Sequence, residues 1–366
     1  MFSFDCAVIG AGLAGLNVAL KLGRLGRRVL LVDRKATLSS GVHTTGIFVR
    51  RTLEDFSLPS DCLGPVIRDV SLYSPSLDRL DLESPLAEYR VGRMARLYSE
   101  LVNQCRAVGV TTALDTTLES AVSHAGSTTL RLRTGLRTWT MPVRFIVGAD
   151  GAASRVAEHL NLSRNSEWIV GLEDVYRDTG KSGRPRMHCL LDPELAPGYI
   201  AWAVHDGEEM HIGVGGYAAR FQPAAALQKW AQIVRTRMGL EPGERIERRG
   251  GRIPVGGVLP RIASPFGLLV GDAAGAVSPL TAGGLDPCLR LSEFAAQVID
   301  AAIRTDDSSP LQAYSGAAFR KRFRSRAKTS HFEPENKARS RKDRVSPKRT
   351  GNVRSMRAAD ESAEVI

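Results

Sequence analysis

Three stretches of the chain set glycine beside acid in patterns that suit contact with phosphate and ribose. The first is Gly10-Ala11-Gly12-Leu13-Ala14-Gly15. In such a turn Gly10 lets the chain reverse sharply, Gly12 lets the backbone approach a pyrophosphate, and Gly15 lets a helix pack closely on a strand. Leu13 and Ala14 then open a helix whose N-terminal amides face the anion. Asp33 lies 18 residues beyond Gly15 and is placed to accept hydrogen bonds from ribose hydroxyls. Its neighbour Arg34 is placed to face a 2′-phosphate, which Asp33 would repel. The motif therefore points to an adenine dinucleotide without saying which.

The elements around it agree. Phe4–Ile9 predicts a short buried strand, Leu13–Leu25 a helix with an apolar stripe, and Arg28–Val32 a second strand ending on Asp33, a βαβ half-unit. The second stretch, Val147 to Arg155, reads VGADGAASR, a strand running into an Asp150-Gly151 turn. The third, Gly267 to Asp286, reads GLLVGDAAGAVSPLTAGGLD: a strand, then Gly271-Asp272, then a turn with Gly283 and Gly284 opening a helix at Leu285. Between them, residues 110–147 and 168–217 alternate like strands, with helices predicted near 50–56 and over 93–108, 221–237 and 285–303.

Taken together and in this order, the three stretches resemble the FAD-dependent oxidoreductases of the p-hydroxybenzoate hydroxylase-like superfamily, over roughly residues 4–327. Within it the chain resembles the geranylgeranyl reductase group. Gly275 stands where the aromatic hydroxylases place His, Pro279-Leu280-Thr281-Ala282-Gly283-Gly284-Leu285 is similar to the PLTGEGI turn beside the flavin, and Pro197-Gly198-Tyr199-Ile200-Ala201-Trp202 is similar to the PGYxW segment lining the substrate cavity. The resemblance implies FAD contacts at Ala14, Asp33, Arg93, Asp272, Gly284 and Leu285, and places Asp150 near the pyrophosphate. It implies hydride transfer from reduced FAD to a carbon–carbon double bond of an isoprenoid or other apolar substrate. NAD(P)H or ferredoxin would be the electron donor, docking on the surface, since no second GxGxxG occurs between a strand and a helix. Two departures stand out. The loop Ser39-Ser40-Gly41-Val42-His43 lacks the Cys-Gly of archaeal members, and after about Lys328 the chain turns basic where the family continues as a helical segment.

Each candidate also has a plainer reading. His43, in the loop expected to face the flavin, is placed to deliver a proton or simply to face solvent. Tyr199 and Trp202 either line a substrate pocket or belong to the core. Asp150 and Asp272 suit capping of turns and helices better than general-acid chemistry. The five cysteines (Cys6, Cys62, Cys105, Cys189, Cys288) form no CxxC and no metal-ligand cluster, so no metal is expected and the thiols read as core residues in a reducing compartment.

Composition sets the outer limits. The chain has 366 residues, 43% hydrophobic, which excludes a disordered chain, a collagen or a disulfide-stapled mini-protein. Its net charge of +11 would ordinarily suggest nucleic acid or a membrane surface. Residues 320–357, however, hold fifteen Lys/Arg against three Asp/Glu, leaving residues 1–319 at only +2. Nucleic acid is therefore not the expected partner of the folded body. The fold predicted is α/β: a Rossmann-like FAD-binding domain (1–165, with an excursion at 76–89, and 255–320) with an inserted mixed β-sheet substrate domain (166–254). A basic, low-complexity and disordered tail (321–366) follows. Asp5 precedes the apolar run Cys6–Leu20, no base does, and glycine recurs within it, so it reads as a dinucleotide turn rather than a signal peptide. No run is long enough to span a membrane, and a cytoplasmic location with peripheral membrane contact is expected. Two further functions share these motifs: an NAD(P)H-dependent flavin monooxygenase acting on an aromatic, and a flavin-holding or tail-mediated nucleic-acid-binding protein without catalysis.

Overall fold

The computed structural model describes residues 2–323 except 125, 182, 279 and 280; Pro279 and Leu280 of the PLTAGG turn and the tail from 324 on lie outside the described residues. Chain order begins β1 (Phe4–Ile9), α1 (Leu13–Arg24), β2 (Val29–Val32), β3 (Ile47–Val49), α2 (Arg50–Asp55), β4 (Leu63–Ile67), β5 (Asp69–Tyr73), β6 (Arg79–Glu83) and β7 (Tyr89–Gly92). It continues with α3 (Met94–Ala107), β8 (Thr111–Ala113), β9 (Thr116–His124), β10 (Ser127–Thr134), β11 (Arg137–Gly148), α4 (Arg155–His159), β12 (Trp168–Arg177), β13 (Arg186–Leu190), β14 (Ala201–His205) and β15 (Glu209–Gly216). It closes with α5 (Pro223–Arg237), β16 (Arg245–Pro254), β17 (Ala263–Ser264), β18 (Gly267–Leu269), α6 (Leu285–Thr305) and α7 (Gly316–Phe323).

The first sheet has the strand order β17-β18-β11-β1-β2-β8, with β10 and β9 continuing off β11. Its centre is parallel: β1 pairs with β2 and β11, β2 with β8, and β11 with β18. These central strands are buried on both faces, so they read as continuous apolar runs such as Val29-Leu30-Leu31-Val32 rather than as alternation. Helices α1 and α6 pack together against this sheet, and Ser292 Oγ donates to the Ala14 carbonyl oxygen at 3.3 Å inside that contact. The carboxyl ends of β1, β2, β11 and β18 share one edge, the place where open parallel sheets bind nucleotides.

The second sheet runs β16-β12-β15-β14-β13-β5-β6 and is antiparallel except between β13 and β5. It is mixed, as expected, but it recruits the chain from Asp69 onward, ahead of the excursion predicted at 76–89. The parallel pairing of β5 with β13, more than a hundred residues away, decides this and leaves no local trace. One face packs on α5 around Trp230, Leu227, Val234, Ile212 and Val214. The other faces a small three-stranded sheet, β3-β7-β4, which the sequence did not suggest, through Ile67, Val91, Met187, Cys189, Trp202 and Val204.

All five cysteines are free and buried, as core thiols. Burial pushes the pKa of Cys6, Cys105, Cys189 and Cys288 upward. Helical order runs through Phe323, past the expected start of the tail at 321, because Phe319 on α7 is buried in the first core and holds the helix down. No helix among the described residues is long and apolar enough to cross a membrane.

Trp230 on α5 is fully buried, and its indole N–H donates to the Trp202 carbonyl oxygen at 2.8 Å. Trp230→Ala leaves a large cavity and removes its hydrogen bond to β14, so guanidinium unfolding should show a loss of about 3–5 kcal/mol.

Candidate functional site

The three glycine–acid loops meet at the carboxyl edge of the first sheet. At Gly10 the backbone has φ +103°, and a Cβ there would overlap the Ala149 carbonyl, so only glycine lets the loops after β1 and β11 touch. A Cβ at Gly15 would overlap the Gly10 carbonyl oxygen and lie 3.1 Å from the Ala149 Cβ, so α1 is seated directly on the turn. The loop after β18 closes the group: a Cβ at Gly271 would lie 2.8 Å from the Ala14 Cβ.

Gly12 behaves differently. It begins α1 with no side-chain cap, and a Cβ added there would meet nothing within 4 Å. Its open face and the uncapped amides of Leu13 and Ala14 form a cradle for an anion. Asp33, just past β2, accepts from the Ala11 amide at 2.6 Å and the Lys35 amide at 2.8 Å, which holds its carboxylate beside the glycine turn. Arg34 is exposed next to it.

Asp272 lies across from this cradle. A Cβ at Gly284 would sit 3.7 Å from its Oδ1, placing the carboxylate at the uncapped start of α6, where Gly283, Gly284 and Leu285 follow. Its backbone carbonyl accepts from the Asn165 side chain at 2.8 Å, but its carboxylate has no hydrogen-bond donor among the described residues. Burial pushes its pKa up to about 6. A half-buried carboxylate with no donor among the described residues, beside an open phosphate cradle, fits a ligand carrying both a pyrophosphate and a polyol, as FAD does.

Other candidates are engaged differently. The Asp150 carboxylate accepts from Ser154 Oγ and from the Arg155 and Val156 amides at 2.6–3.1 Å, so it caps α4 while its backbone abuts Gly10. Arg93, at the start of α3, pairs with Glu208 at 3.3 Å and donates to the carbonyls of Asp61 and Asp206. His43 is exposed; burial of part of its ring, then Lys35 and Arg34, lower its pKa, while the Gly250 backbone opposes the shift. Tyr199 donates to the Thr281 carbonyl oxygen at 2.8 Å and so joins the second sheet to the turn before α6. Burial raises its pKa.

Sequence reasoning missed a polar hub on the second sheet. Arg249, Glu173, Gly213 and Trp202 form one row across β16, β12, β15 and β14. Because Gly213 has no side chain, the Trp202 ring lies over it, and its indole N–H reaches Glu173 at 3.1 Å. Tyr199 lies over Gly215 in the same way, edge-on to Trp202 at 6.3 Å. Glu173 also accepts from Thr45 Oγ1 and contacts His211 Nδ1 at 3.2 Å. Burial would raise the Glu173 pKa, but His211, Thr45 and Arg249 hold it below the ordinary value. Burial would lower that of His211, but Glu173 and Asp206 push it up to about 9. The available signal was the alternation Gly213-Val214-Gly215 opposite Tyr199 and Trp202, glycines on one face of a strand facing aromatics.

Residues 5–171 match the lycopene cyclase protein family. Over 345 residues the chain is 29% identical to digeranylgeranylglycerophospholipid reductase 1 of Methanopyrus kandleri, covering 88% of this chain and 85% of that protein. The fold is similar to that of a geranylgeranyl bacteriochlorophyll reductase-like protein from Thermoplasma acidophilum (TM-score 0.75, 22% identity, 87% of this chain and 83% of that one). It is also similar to that of p-nitrophenol 4-monooxygenase from Pseudomonas putida (TM-score 0.69, 17% identity, 87% and 85%).

Two outcomes test this geometry. Gly12→Ala should fold with near-normal stability yet lose flavin affinity, whereas Gly15→Ala should lose about 3 kcal/mol or more of stability from overlap with the Gly10 carbonyl; urea unfolding and flavin titration separate the two. For Asp272, a raised pKa in the folded state means that ionisation opposes folding of the cofactor-free protein. The penalty is absent below about pH 4, develops as pH rises to about 6, and is full above that. Cofactor-free Asp272→Asn should therefore melt higher than the parent at pH 7.5 and level with it near pH 4. In sequence the chain is similar to digeranylgeranylglycerophospholipid reductases, and in fold to a geranylgeranyl reductase-like protein and a monooxygenase, a likeness that fits an FAD-dependent oxidoreductase.

Proposed function

We propose that the protein binds FAD without covalent attachment and reduces carbon–carbon double bonds of an isoprenoid or other apolar substrate. In this reading the amides after Gly12 hold the pyrophosphate, Asp33 the adenosine ribose, and Asp272 a ribityl hydroxyl, while Gly283, Gly284 and Leu285 offer backbone beside the flavin ring. Bound in its reduced form, FAD supplies hydride, and a proton from protein or water completes the saturation. Tyr199, tied to Thr281, keeps the turn before α6 against the second sheet. Trp202 and the apolar residues Met187, Cys189 and Val204 give an apolar wall that excludes water.

The observation that favours reduction over aromatic hydroxylation is Gly275. It ends the turn after Asp272 with φ +67°, and a Cβ there would overlap the Gly257 carbonyl oxygen and lie 3.0 Å from Asn165 Oδ1. The position cannot take the histidine found there in the aromatic hydroxylases. The likeness to the Methanopyrus reductase along most of the chain supports the same choice. NAD(P)H or ferredoxin would dock on the surface as donor, and the basic residues of 320–357 suit an anionic membrane holding a prenyl lipid.

The purified protein should show the yellow spectrum of bound flavin, or acquire it on adding FAD. After anaerobic reduction, a geranylgeranyl lipid should reoxidise the flavin and yield a product heavier by two hydrogens per reduced bond. Reoxidation that needs oxygen and is accelerated by a phenol would favour the monooxygenase instead, and a colourless protein that takes up no FAD would overturn both.

A further inference from the structure

The hairpin joining β14 to β15 carries Asp206, Glu209 and His211, and one ligand atom from each lies within 4.8 Å of the others. Their partners leave the inward atoms open. Asp206 Oδ1 accepts from the Glu208 and Glu209 amides at 2.8 and 2.6 Å, which fixes the carboxylate and leaves Oδ2 facing His211 Nε2 at 3.9 Å, too far for a hydrogen bond. His211 is 2% exposed, and among the described residues its buried Nε2 has no hydrogen-bond partner. Its other nitrogen, Nδ1, meets the Glu173 carboxylate at 3.2 Å. A carboxylate that orients one imidazole nitrogen while the other faces two more carboxylates is the arrangement by which proteins direct histidine at a metal.

The surrounding charge suits a cation. Glu209, Glu173 and Glu247 face Arg249, whose guanidinium is hydrogen-bonded to Glu247 at 2.8 Å and stands 3.7 and 3.9 Å from Glu173 and Glu209, while Asp206 faces His211. Four carboxylates against the Arg249 guanidinium and the His211 imidazolium still leave a negative excess beside Nε2. We propose that Asp206, Glu209 and His211 form a site for one divalent transition-metal ion of the zinc or manganese type, with partly exposed Glu209 at its solvent side. Two carboxylates and one imidazole are donors that such ions accept, with positions left for water. On loading, the ion takes the Nε2 lone pair and any proton carried there leaves to solvent. The three ligand residues lie outside the glycine–acid loops, so metal uptake is read separately from the reductase activity.

The test uses the full-length flavin-loaded protein after dialysis against a chelator. Titration with ZnCl₂, and separately MnCl₂, followed by calorimetry should show saturable uptake of one ion per chain. The melting temperature should rise by roughly 5 °C at a hundredfold excess over Kd. Glu209→Gln, at a partly exposed position that can lose its charge without unfolding the hairpin, and Asp206→Asn should each weaken uptake tenfold or more while the visible flavin spectrum stays unchanged. No saturable uptake of either ion overturns the proposal, as does uptake that both variants leave intact.

Discussion

The contact on which the rest of this structure depends is the seat of α1 against the turn that precedes it. With no side chain at Gly15, the first turn of the helix rests on the Gly10 carbonyl and the Ala149 methyl, and any larger residue would lift it. That close approach brings the loop after β11 to the loop after β1, and lets Gly271 come within reach of Ala14 from a third strand. Three loops from distant parts of the chain thereby converge on one helix N-terminus. The helix amides then provide an anion site, with Asp33 held beside it where ribose hydroxyls could donate.

The second sheet solves a different problem, how to keep charge inside an apolar wall. Glycines at 213 and 215 open a trough across β15 that two aromatic rings fill, and the ring of Trp202 spans it to reach Glu173. Glu173 in turn holds Thr45, from the loop before β3, and faces His211 and Arg249. A buried ionic group of this kind adds little net stability over apolar packing, but removing one member strands the others. Its consequence is geometric: the 43–46 loop, the aromatic wall and the β14–β15 hairpin are held in one register. Tyr199 extends the same wall to Thr281, so the turn before α6 and the second sheet share a hydrogen bond rather than mere proximity.

Charge divides along the chain as strongly as packing does. The chain's large formal excess sits almost wholly in residues 320–357, leaving the body nearly neutral. Within the body, acids and bases are matched across elements, as in Arg186 with Asp69 and Asp81 or Arg290 with Asp55 and Asp286. Basicity is thus no guide to what the folded part binds; its polarity is concentrated in glycine turns, helix ends and the one hub on the second sheet.

What the sequence determined by itself is whatever chemistry is local. The order of glycines at 10, 12 and 15, the acid at 33, the Gly-Asp pair at 271 and 272, and the parallel sheet of continuous apolar strands were readable because each depends on neighbours a few residues away. Even the capping of α4 by Asp150 follows from Ser154, four residues on. Tertiary structure decided everything that depends on pairing between distant strands. The three-stranded sheet draws on residues near 48, 65 and 90, and β5 joins β13 across more than a hundred residues. Arg93 meets Glu208 because the β14–β15 hairpin, more than a hundred residues on, lies beside it. Glu173, Trp202, His211 and Arg249 sit on four strands, and only the register of the sheet puts them on one face; a period of two along each strand says that they share a side but not what stands opposite.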